Sequence, residues 1–151
     1  MASYSLVARL SRDLRALLAG RQHLEQGVRF ALGSNVGAGT SCSLFNEGHF
    51  AYLAQMLRPD GHRLSPAHLV YLATAAGAQA FDRGDQVGDS TPAKSAPVVA
   101  LAPSEGSTLA AVLERTSPEA RLGAIFTLAR EASVHKVRVA DHVVFAPSGR
   151  P

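Results

Sequence analysis

Residues 28–41 read VRFALGSNVGAGTS and join an apolar segment to a glycine-rich loop. The apolar part, Val28–Leu32, is bounded by Gly27 and Gly33, which is typical of a short strand buried on both faces, as in a parallel sheet. Asn35 follows where this strand should end. Because α/β folds hold their ligands at the carboxyl ends of parallel strands, Asn35 is the first candidate functional residue.

The composition of the chain limits the classes of partner. The 151 residues are 46% hydrophobic and 18% charged, against about 25% charged in an average soluble domain, so we expect surface that something else covers. The formal charge of +3 is spread along the chain without a run of Lys or Arg, which argues against a nucleic-acid partner. No apolar run approaches the roughly 20 residues that span a bilayer, which argues against a membrane partner. The single cysteine, Cys42, indicates a reducing compartment, and we expect a cytoplasmic protein.

Periodicity and capping residues predict the other elements. A helix from Ser43 to Leu57 follows the glycine loop, and a further helix starts at Ser65, whose hydroxyl can cap it ahead of Pro66. The inner face of the first of these helices is predicted from its large apolar residues, Leu44, Phe45, Tyr52, Leu53 and Met56. The remaining predictions are helices over 6–18, 107–115 and 118–131, a strand over 97–101 and a β-hairpin over 134–145. Val28–Leu32 is the one segment that reads as a parallel strand.

The glycine loop after the strand has three interpretations. It could cradle a phosphate through backbone N–H groups, but the spacing of Gly33, Gly37 and Gly39 matches neither the dinucleotide fingerprint nor the P-loop, and no lysine follows. It could be a tight turn between a strand and a helix with no further role. The third interpretation comes from the similarity of this segment to a known family.

Four segments carry that similarity, in order, between about Leu24 and Phe145. Residues 25–41 (EQGVRFALGSNVGAGTS) resemble the last barrel strand of guanine deaminases in the amidohydrolase superfamily, and residues 63–66 (RLSP) with 72–80 (LATAAGAQA) resemble the helix that follows it. Val87-Gly88 with Pro92, Lys94 and Val98-Val99 resembles the segment that enters the small β domain beside the barrel. Residues 137–144 (VRVADHVV) resemble the closing hairpin of that domain.

The resemblance implies an α/β fold: the C-terminal fragment of a (β/α)₈ metal-dependent hydrolase barrel plus part of the accompanying small β domain, with mostly helical content. Residues 1–82 would hold the last barrel strand and its flanking helices. Residues 83–151 would hold part of the β domain with a helical insertion. The implied activity is that of a zinc-dependent aminohydrolase that acts on a C–N bond of a cyclic amidine and converts guanine to xanthine and ammonia in purine catabolism.

By position in the resemblance, Asn35 stands where the family has an aspartate that binds the metal and shuttles protons. Gly37, Gly39 and Thr40 would form a loop beside the substrate. An asparagine amide carries no charge and cannot accept a proton near pH 7. The histidine ligands of the family have no counterpart here, because the six histidines are scattered without ligand spacing. We therefore expect no complete metal site, no zinc bound by this chain alone, and no independent catalysis.

Two alternatives remain. The chain could be a non-catalytic remnant or interaction module that associates with itself or a partner through exposed apolar surface. A separate chain could instead supply a complementary barrel segment, so that a split enzyme acts on guanine or a related purine.

Overall fold

The computed structural model describes residues 6–7, 29–34, 41–95 and 97–147. The strands are β1 (Leu6–Val7), β2 (Phe30–Ala31), β3 (Val98–Leu101), β4 (Val134–Val139) and β5 (His142–Phe145). The helices are α1 (Leu44–Met56), α2 (Pro66–Ala73), α3 (Ala75–Ala80), α4 (Thr108–Arg115) and α5 (Pro118–Leu128), and a 3₁₀ turn covers Glu131–Ser133.

Strands β1 and β2 pair in parallel, with Leu6 opposite Phe30 and Val7 opposite Ala31. The predicted strand over Val28–Leu32 is confirmed at its centre. The helix predicted from Leu6 is wrong at Leu6 and Val7, and the rest of that prediction, like Val28, lies outside the described residues. The leucine spacing that suggested a helix is a local signal, and pairing with a strand distant in sequence overrides it.

Serine caps fix the starts of three helices. The Ser65 hydroxyl accepts a hydrogen bond from His68 N at 3.3 Å, and His68 Nδ1 accepts one from Ser65 N at 3.2 Å. Ser107 and Ser117 cap α4 and α5 in the same way, accepting from Ala110 N at 3.2 Å and Ala120 N at 3.3 Å. The predicted helix starts are confirmed. The helix that begins after Ser65 is broken at Thr74, which separates α2 from α3.

The main core lies between β2 and helices α1, α2, α3 and α5. Its buried members are Ala31, Ala51, Leu64, Leu69, Leu72, Ala76 and Phe126. The predicted inner face of α1 is confirmed at Phe45, which is half-buried and packs against the core. It is wrong at Leu44, Tyr52, Leu53 and Met56, which are exposed, and the buried residues are Glu47, Gly48, Ala51, Ala54 and Gln55. The ring of Phe126 comes so close to α1 that a Cβ at Gly48 would lie 2.5 Å from two of its carbons. Small residues therefore face the core.

Strands β3, β4 and β5 form an antiparallel sheet in that order. Ala140 and Asp141 join β4 to β5 with φ values of 46° and 66°, the left-handed conformation that a two-residue type I′ hairpin turn requires. The predicted hairpin is confirmed. Valines on the sheet are exposed, among them Val99 and Val143. Helix α5 packs on α1 and α2 as well as on α4, so the segment after residue 83 contacts the segment before it.

No helix within the described ranges is both long and apolar enough to cross a membrane.

Candidate functional site

Strand β2 ends beside helix α2. Leu32, the first residue after the strand, donates a backbone hydrogen bond to Leu72 O at 2.9 Å, which fixes the direction in which the chain leaves the sheet. Residues 32–34 are half-buried. The predicted site residues Asn35, Gly37, Gly39 and Thr40 lie outside the described residues, so their roles stay predictions.

A serine turn connects this loop to helix α1. Ser43 N donates to Ser41 Oγ at 3.0 Å, and Ser41 Oγ donates to Ser43 O at 3.4 Å. Cys42 lies between these serines as an exposed free thiol. This turn starts α1 at Leu44, immediately beyond the loop at the end of β2.

Glu47, in the first turn of α1, is a buried acid that the sequence analysis missed. Its side chain belongs to a residue only 4% exposed, and its Oε1 atom has no hydrogen-bond partner among the described residues. Burial raises the pKa of the Glu47 carboxyl above its usual value, while hydrogen bonding with the Ser41 side chain acts in the opposite direction. The only sequence signal for this buried acid was its position: Glu47 lies between the glycine loop and Ala51, on the helix face opposite the large apolar residues.

The described residues do not fit a zinc ion. Within that part of the chain, no three His, Cys, Asp or Glu side chains lie close enough together to hold a metal. The rings of His62 and His68 have centroids 5.8 Å apart, but His68 Nδ1 already accepts the Ser65 N–H that closes the cap of α2. His23 lies outside the described residues. Zinc bound as in a catalytic site requires three protein ligands, which these two imidazoles do not supply.

A shallow cavity of about 320 Å³ lies between α1, α5 and the start of α2. Its walls are mostly apolar, and they include Leu64, Leu69 and Phe126 of the main core. Thr127 at its rim already donates its hydroxyl to Gly123 O at 3.1 Å. The cavity presents no cluster of acid or base groups, so it does not have the character of a hydrolytic site.

Comparison with known proteins identifies the class. The model of the amidohydrolase family matches residues 8–144, and the chain belongs to that family. A curated relative, the probable guanine deaminase of Deinococcus radiodurans, is 52% identical over 128 residues, which cover 83% of this chain and 29% of the relative. The structure of Escherichia coli guanine deaminase matches with a TM-score of 0.77 and 26% identity over 85% of this chain. A Clostridium acetobutylicum guanine deaminase with guanine in its active site matches with a TM-score of 0.68 and 23% identity, over 83% of this chain and 29% of that structure.

The chain spans about 30% of the length of the relatives and structures that it matches. The chain therefore has the fold of part of these barrel proteins. The prediction of an amidohydrolase related to guanine deaminases is confirmed, and the described residues have mixed helix and strand content. The division of the chain at residue 82 stays a prediction.

Proposed function

We propose that this chain forms part of the barrel of a hydrolase that removes the amino group of guanine, or of a closely related purine, giving xanthine and ammonia. The observation that carries the proposal is the 52% identity to a probable guanine deaminase over 128 residues. The fold match to Escherichia coli guanine deaminase, with a TM-score of 0.77 over 85% of this chain, supports it. A single cysteine supports a cytoplasmic site of action.

We further propose that the chain does not catalyse this reaction by itself. Hydrolytic deamination forms a bond from a water oxygen to the ring carbon and breaks the C–N bond, so one group must take a proton from water and return it to the leaving nitrogen. The amide of Asn35 cannot do this near pH 7. The two parallel strands found among the described residues are also far from a closed barrel of eight.

On this proposal, residues 1–82 supply barrel strands and their helices, and residues 83–151 supply part of a small β domain. The remaining barrel strands are supplied by a complementary barrel segment. Any zinc would be held by residues of that segment, because the described residues of this chain do not form a ligand set.

Reconstitution tests the proposal. The part of the Deinococcus radiodurans relative that this chain does not cover is expressed as a separate polypeptide and mixed with the chain, either unchanged or carrying Asn35→Asp. We expect ammonia from guanine only from the mixture with Asn35→Asp. Stoichiometric zinc and guanine-dependent ammonia release by the purified chain alone would contradict the claim that it is incomplete.

A second candidate function is a non-catalytic interaction module. It rests on exposed apolar side chains in three parts of the chain, with Leu57 84% exposed, Phe81 65% exposed and Val144 60% exposed. Surface of this kind favours self-association or a protein partner. A compact monomer in size-exclusion chromatography that binds no hydrophobic dye would count against this function.

A further inference from the structure

The carboxyl of Glu47 has an unused acceptor in a buried position. Glu47 is 4% exposed, and no donor among the described residues reaches its Oε1 atom. A buried polar atom without a partner costs about 1–3 kcal/mol, and more if it is charged, so folded proteins retain few of them. The atom therefore indicates a donor that comes from outside the described part of the chain.

The position of Glu47 narrows the source of that donor. A Cβ on the adjacent Gly48 would lie 3.5 Å from Leu32 Cδ1, and Leu32 directly follows β2. Ala51, one helical turn after Glu47, is buried in the same core cluster as Ala31 of β2. Glu47 thus lies on the buried side of α1, which packs on Phe126 of α5 and comes near the Leu32 side chain just after β2.

Within the described ranges, strand β2 has a strand partner along one edge only. It pairs with β1 along one edge, and no strand within the described ranges pairs with the other. In a barrel, each strand–helix unit is followed by the next one in the same direction around the sheet. The helix after β2 therefore lies beside the position of the next strand, on the side of β2 opposite to β1. The chain covers only 30% of the Escherichia coli structure that it matches, which leaves that place to other polypeptide.

We propose that Glu47 Oε1 accepts a hydrogen bond from an arginine or lysine side chain of the polypeptide that lies along the edge of β2 opposite to β1. This inference rests on the proposed function, since it needs a complementary barrel segment. A cationic donor suits the site because a buried carboxylate is stable only when its charge is paired and hydrogen-bonded. Burial raises the pKa of the Glu47 carboxyl even though the Ser41 side chain hydrogen-bonds with it, which agrees with a group that lacks a counter-ion.

Binding between the full chain and the uncovered part of the Deinococcus radiodurans relative tests the proposal by isothermal titration calorimetry. Glu47→Gln keeps the size of the side chain and removes its charge, and we expect it to weaken binding by roughly ten- to a hundredfold. Glu119→Gln is the matched control, because Glu119 is an exposed acid in the first turn of α5. It should leave the affinity unchanged. Circular dichroism of each variant checks that it is folded.

The carboxyl ¹³C resonance of Glu47 gives a readout that a loss of folding would not mimic. The resonance is assigned by its absence from the spectrum of Glu47→Gln. In the unchanged chain, it should shift when the second polypeptide binds. Equal affinities for the unchanged chain and a folded Glu47→Gln variant, or an unmoved resonance, would overturn this inference alone. If the unchanged chain did not bind at all, the assembly required by the proposed function would fail with it.

Discussion

Replacement of Gly48 by alanine is expected to destabilise the fold, although alanine is the better helix former. A Cβ at this position would lie 2.5 Å from Cδ1 and Cε1 of Phe126, whereas ordinary contacts begin near 3.4 Å. The ring would have to move by about 1 Å. Phe126 is 3% exposed and packs edge-to-face on Phe45, with ring centroids 5.9 Å apart, so it has little room to move.

Two opposing effects set the magnitude of this change. Overpacking of a core costs about 1–3 kcal/mol, and replacing a helical glycine by alanine contributes about 0.5–1 kcal/mol of stability. The expected net effect is a loss of about 1–2 kcal/mol in the free energy of unfolding, or a fall of roughly 2–8 °C in Tm for a chain of this size. Urea unfolding followed by circular dichroism measures it, and a lower midpoint with an unchanged slope is the expected result.

Gly77→Ala is the matched control. Gly77 is also inside a helix, and the nearest atom to its added Cβ would be the Ala31 Cβ at 4.0 Å, so there is space for the methyl group. It should stabilise the chain by about 0.5–1 kcal/mol. If Gly48→Ala were as stable as Gly77→Ala, the close approach of α1 to Phe126 would be wrong.

Three further predictions concern single side chains. Burial raises the pKa of Glu47, so the folded chain holds the carboxyl proton more tightly than the unfolded chain does. The protonated carboxyl therefore contributes its full stability below the usual glutamate pKa, and this contribution is lost as pH rises through the raised value. Urea midpoints measured against pH should show this fall, and Glu47→Gln should remove it. Ser65→Ala should cost about 1 kcal/mol in the same assay, because it removes the acceptor for His68 N, whereas Ser104→Ala, outside any helix, should cost little. Hydrogen bonds from Lys94 and Thr91 hold the pKa of Asp89 well below its usual range. Lys94→Met should therefore raise the pKa of Asp89 in an NMR titration. An unchanged pKa would contradict the 2.8 Å contact between Lys94 Nζ and Asp89 Oδ2.

The parts of the fold that follow from neighbours in sequence were predictable. Ser65-Pro66 and Ser117-Pro118 mark helix starts through their own hydroxyls, and the hairpin around Ala140 follows from local alternation. The parts that depend on distant contacts were not. Leu6 forms a strand because it pairs with Phe30. The face of α1 that is buried is the one that packs against Phe126, which is distant in sequence.

The residues of the candidate site also differ in whether the sequence could predict them. The resemblance pointed to Asn35 from the residues around it, and that assignment stays a prediction because Asn35 lies outside the described residues. Glu47 could not be found from the sequence, because an acid in the first turn of a helix is usually solvated and favourable there. Its burial results from the packing of α1 against α5.

The most direct test of the central claim is the release of ammonia from guanine by this chain co-purified with the part of the Deinococcus radiodurans relative that it does not cover. We predict a stable complex that releases no ammonia with Asn35 and gains both zinc and guanine-dependent ammonia release with Asn35→Asp. Failure of the two polypeptides to associate, or equal activity of the chain alone, would contradict the account.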